Sequence, residues 1–249
     1  MEIADRTAQV LALVLERSPR TAAELAGDEA VVDVLVRHGL LEWDAGRSAV
    51  RPGAVLARYA RSRDDQRDLA ALAQTAMRRL ADESGETVNL MVRSARGAEA
   101  IAQVDGPHVL GVSNWVGREV PDHCSAAGKV FLAFGVSDLP AGPLERRAAR
   151  TIVDHAALER ELEAVRAHGY ATIVDELEVG LAAVAAPIRD RDGAIVAALS
   201  VAGPTARLAD HRLALLGRVT IEQAHTVSTQ LGFEGALEDL LDGFRAGRA

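Results

Sequence analysis

Lysine is almost absent from this chain. Of its 28 basic residues only Lys129 is a lysine, which leaves 27 arginines. A lysine kept against that bias marks a position where a compact ammonium on a flexible stem suits better than a planar guanidinium fork. Cysteine is as scarce: Cys124 stands alone, which excludes an intrachain disulfide and fits a reducing, cytoplasmic location. Aromatic residues make up 3%, so the core must be built from Ala, Val and Leu, and a pocket walled by many rings is excluded. Apolar runs such as residues 194–203 are too short to span a bilayer. The first residues, Met1-Glu2-Ile3-Ala4-Asp5-Arg6, lack the basic stretch that opens a signal peptide. The seven histidines show no paired ligand spacing, so neither a metal nor a cofactor is expected. A net charge of −8 argues against nucleic-acid binding through the whole surface, but not against a locally basic face.

What is present describes a soluble chain of one large or two modest domains: 249 residues, 49% apolar and 26% charged. Residues 7–17 carry Val10, Leu11, Val14 and Leu15 on one helical face, and Pro19 ends that helix. Thr21-Ala22-Ala23-Glu24 is a capping box that opens a short helix to Ala26. Asp28 is placed to cap a third helix bearing Val31, Val32, Leu35 and Val36, closed by Gly39. Residues 41–43 and 49–51 flank a turn and read as a hairpin. Three short helices and a two-stranded wing make a winged helix-turn-helix. Pro52 starts another helix, and the charged run at residues 61–65 is the expected domain boundary.

A long helix follows over residues 65–84. Its Leu69, Leu72, Met77 and Leu80 form either a dimer seam or ordinary packing onto a sheet. From Thr87 the period changes to two, predicting strands at 87–92, 100–104, 109–113, 170–174, 181–188 and 195–201. Helices are expected at 125–134, 155–168 and 210–231, and the tail from Glu234 forms a short helix or is disordered. The order predicts an α+β domain with an antiparallel sheet and helices packed on it.

The stretch that invites chemistry is His123-Cys124-Ser125-Ala126-Ala127-Gly128-Lys129, small residues followed by the apolar run 130–134. A helix opening this way can keep its first N–H groups open to an anion such as a carboxylate, or simply pack tightly. His123 and Cys124 beside such a helix start also suggest a thiolate nucleophile, although no separate acid completes the set. A buried, inert cysteine is the plainer reading.

These residues, with Gly169-Tyr170-Ala171, Glu176-Leu177-Glu178-Val179-Gly180-Leu181, Ala185-Ala186-Pro187-Ile188 and residues 197–204, resemble the isocitrate-lyase-regulator (IclR) family of bacterial transcription factors over about residues 65–231. The resemblance implies a winged domain at 1–62, then a linker helix and a GAF-like effector-binding domain at 63–249. It implies a homodimer or dimer of dimers, operator DNA as partner, and no enzymatic activity. It also implies an effector site at Ser125, Ala126, Ala127 and Gly128, with Leu181 and Ala183 as a wall and Ser200 as a hydroxyl. Arg118, just before that helix, is a candidate to pair with a ligand carboxylate or is an ordinary surface arginine. Some members carry an aspartate where this chain has Ile173 and a serine where it has Ala202, so a less polar wall and a carboxylate with an apolar body are expected.

The DNA end departs further. Compared with the family pattern the helix-turn-helix is about seven residues short, and a usual arginine position falls on Ala30. Residues 21–41 hold Glu24, Asp28, Glu29 and Asp33 against Arg37 alone, a charge of −3 where phosphates would approach. Arg20, Arg47, Arg51 and Arg58 remain able to grip the backbone, which positions a protein but reads little sequence. Two functions stay open: a ligand-responsive DNA-binding regulator, or a metabolite-sensing dimer that has lost sequence-specific DNA binding.

Overall fold

A computed structural model describes residues 3–108 and 113–237, in two compact units, Met1–Asp68 and Leu69–Ala249. The first unit opens with helix α1 (Ile3–Glu16) and strand β1 (Arg20–Thr21). The capping box forms as expected: Thr21 accepts from the Glu24 amide while the Glu24 carboxylate takes the Thr21 amide. It opens a single 3-10 turn, Ala22–Leu25, and not an α-helix. Helix α2 (Glu29–Arg37) ends at Gly39, whose φ of +69° is a left-handed conformation that glycine adopts without strain. Asp28 does not cap α2; its carboxylate is taken in a two-pronged pair by Arg6 of α1. Strands β2 (Leu41–Trp43) and β3 (Ala49–Pro52) form the hairpin, and β1 adds a third strand in the order β1-β3-β2. Val10, Val14, Leu25, Val32, Leu35, Leu41 and Val50 make its core.

Helix α3 runs from Ala54 to Ser84 without interruption. The charged run at 61–65, read as a boundary, is therefore helical. Met77 and Leu80 are buried, and Leu69 and Leu72 pack against the same cluster, so these residues cover the sheet.

The second unit is a six-stranded antiparallel sheet in the order β6-β5-β4-β9-β8-β7. Its strands are β4 (Thr87–Ser94), β5 (Gly97–Val104), β6 (Glu119–Val120), β7 (Ala171–Val174), β8 (Leu181–Arg189) and β9 (Ile195–Pro204). The expected strand at 109–113 lies almost wholly outside the described residues. Alternation along the strands sends side chains to two cores. Val88, Leu90, Val184, Leu199 and Val201 pack under α3 and α6 (Asp210–Gln230). Met91, Ile173, Ala183, Ala185, Ala198 and Ala202 face α4 (Ala126–Ala133) and α5 (His155–His168). A cavity opens on this second face. Among the described residues no helix is long and apolar enough to cross a membrane.

Candidate functional site

Helix α4 begins after a 3-10 turn, Asp122–Cys124, and its start is half closed by its own cap. The Ser125 hydroxyl accepts from the Gly128 amide at 3.2 Å and donates to the Pro121 carbonyl at 2.7 Å. That hydroxyl is thus committed within the protein, which leaves the backbone as the source of donors at this helix start. The amides of Ala126 and Ala127 have no acceptor among the described residues, and both residues line a cavity.

The cavity is small, with a volume of about 50 Å³. Of the residues expected at an effector site, Ser125, Ala126, Ala127, Leu181, Ala183 and Ser200 line it together. Ile173 and Ala202, the two apolar departures, line it as well. Gly128 and Arg118 do not. Gly128 is buried with its Cα against Asp122, where an added Cβ would come within 2.2 Å of the Asp122 Cα. Arg118 is exposed, its guanidinium 5.6 Å from the Trp115 ring centroid.

Sequence reasoning missed Asn89 and Trp115, which also line the cavity. Trp115 is held by its backbone amide, which donates to the Gln103 side chain at 2.9 Å, while its indole N–H has no partner among the described residues. Asn89 was visible as a lone polar residue on an inward strand position, but only the register shows that it faces α4.

Lys129 does not reach the cavity. It is fully buried, and its three N–H bonds find three acceptors: Glu176 at 2.8 Å, Glu161 at 3.1 Å and the Thr172 carbonyl at 3.1 Å. Burial pushes the Glu176 carboxyl up, against the pull of the Lys129 ammonium. Cys124 is buried and burial raises its thiol to about 12, so no thiolate is available and the nucleophile reading falls. His123 bonds the Glu145 carbonyl and not the thiol. No cluster of three potential metal ligands occurs among the described residues.

In the first unit the arginines expected to meet DNA lie near acids. Arg20 pairs with Glu24 at 3.4 Å, Arg51 with Glu42 at 2.7 Å, and Arg47 with Asp33 at 3.7 Å while lying over Trp43. Arg37 is exposed at the end of α2.

Comparison with known proteins gives consistent matches. Residues 63–229 match the family profile described as bacterial transcriptional regulator IclR, C-terminal. The HTH-type transcriptional repressor AllR of Klebsiella pneumoniae is 35% identical over 177 residues, covering 68% of this chain and 64% of that protein. The chain thus spans less than two thirds of the length of these relatives. Among solved structures, the C-terminal domain of the Escherichia coli regulator KdgR is 31% identical with a TM-score of 0.58, covering 67% of this chain and 99% of that one. The Thermotoga maritima IclR structure is 24% identical with a TM-score of 0.63, covering 92% and 98%.

Proposed function

Because this chain belongs to the IclR family of bacterial transcriptional regulators, we propose that it is a ligand-responsive regulator that senses a small carboxylate and binds operator DNA as a dimer or dimer of dimers. The single observation that carries the sensing part is the pair of free amides of Ala126 and Ala127, on residues that line a cavity whose other walls are largely apolar. A carboxylate there would accept two N–H bonds and sit at the positive end of α4. Leu181, Ala183 and Ile173 would cover its apolar body. Winged residues 1–62 would contact DNA through Arg20, Arg37, Arg47 and Arg51, and α3, which runs on into the sensing unit, would carry the coupling between the two sites.

The runner-up is a metabolite-sensing dimer without sequence-specific DNA binding. It draws on the acidic opening of α2 and on the pairing of three of the four arginines with Glu24, Asp33 and Glu42. A gel shift with the DNA upstream of the chain's own gene separates the two. Retarded DNA whose mobility changes on adding a bound acid supports the regulator, and no retardation at any salt supports the runner-up. Calorimetry with a panel of carboxylates tests the ligand class; tightest binding by glyoxylate, the smallest oxo-acid, would overturn the apolar-bodied ligand.

A further inference from the structure

We infer that the cavity is shaped for a carboxylate carrying a second hydrogen-bonding group, and that Asn89, beside Ser200 on the sheet floor, is the residue that reads that group. This rests on the carboxylate reading just given. Asn89 is 5% exposed and lines the cavity, yet neither end of its side-chain amide has a partner among the described residues, and its Oδ1 is sealed from solvent. Buried amides without partners are rare, because the lost water bonds go unreplaced unless something else supplies them.

The apolar neighbours cannot supply them. Met91, Ile173, Ala183 and Ala202 share this part of the cavity wall, and none of their side chains can hydrogen-bond effectively. Ser200 lies directly across from Asn89 in the β4–β9 register, on the same face, and its hydroxyl also has no partner among the described residues. Gln103 is the informative contrast. It lies across from Asn89 on the other side, in β5, and both ends of its amide have a partner: the nitrogen donates to Asp105 at 2.6 Å and the oxygen accepts from the Trp115 backbone amide. An amide on this face can therefore be satisfied by the protein, and the one facing the cavity is not.

The cavity thus has two polar poles, the α4 amides and the Asn89–Ser200 pair, with a largely apolar wall between that also includes the Trp115 ring. An acid with a hydroxyl, keto or amide group on a short aliphatic body matches both. With its oxygen sealed, the Asn89 amide offers its N–H end, which can donate to the oxygen of any of the three.

The test measures dissociation constants of the full chain for butanoate, its 2-, 3- and 4-hydroxy derivatives, and succinamate, by calorimetry. At least one polar acid should bind about tenfold or more tighter than butanoate. Asn89→Leu should cut that preference below about threefold without lowering the melting temperature, since the amide has no protein partner to lose. Ser200→Ala should weaken the same preference by a smaller factor. Equal binding across the series overturns the inference and leaves the carboxylate reading standing. So does an undiminished preference in Asn89→Leu, or a Leu variant that unfolds, which would reveal a structural role. If none of the acids binds, the carboxylate reading falls and this inference with it.

Discussion

Lys129 has three N–H donors and finds three acceptors in a dry environment, which explains its survival among 27 arginines. A planar fork cannot aim in those three directions from one point. Lys129→Met is expected to cost about 3–5 kcal/mol in urea unfolding, because it strands Glu176 as a buried charge, and Lys129→Arg should rescue little of it. Asp122 gives a pH signature. Burial raises its carboxyl above the ordinary 3.8, so the folded state holds this proton more tightly than the unfolded chain does. Its stabilising contribution is full below 3.8 and is lost as pH rises through the raised value. Asp122→Asn lacks that loss, so its urea midpoint should gain on the parent's as pH rises from 3.8 through the raised value, and hold that gain unchanged above it. Cys124 should resist iodoacetamide at pH 8 in the native protein and react fully in denaturant, read by mass spectrometry, since its thiol is raised to about 12.

At the scale of elements, α4 depends on its first turn. Gly128→Ala would bring a Cβ within 2.2 Å of the Asp122 Cα and 2.5 Å of its carbonyl oxygen, both backbone. A loss of about 3 kcal/mol in urea unfolding is expected, larger than the ~1 kcal/mol for the lost cap in Ser125→Ala. Much at this level was legible from residues alone: the Thr21–Glu24 box and the end of α5 at Gly169, whose φ is +77°. These signals are local, because they satisfy backbone groups a few residues away. The unbroken α3 was not legible. Apolar periodicity reports burial against a core, not helicity, and the arginine-rich stretch at 61–65 can continue a helix on propensity without that pattern. Two-residue pieces such as β1 and β6 are too short to show any period.

At the scale of the whole molecule, net charge sets how DNA can be held. With −8 overall and wing arginines paired to acids, few phosphates can be neutralised. Binding to upstream DNA should show a shallow salt dependence, and Glu42→Gln with Asp33→Asn should tighten it by freeing Arg51 and Arg47. A steep slope, or no change in the double variant, would count against a wing-led grip. Those surface pairs add little stability, so the variant should melt near the parent temperature.

The residues by themselves determined most of the longer helices and strands and the resemblance to the family, because each is carried by short-range pattern. Only the tertiary structure decided which face each strand residue looks toward. The register across β4, β9 and β8 brings Asn89 and Ser200 to the α4 side, some hundred residues apart in sequence, and folds Lys129 away from the cavity onto Glu176. Strand pairing and side-chain burial are long-range choices, and no local spacing encodes them.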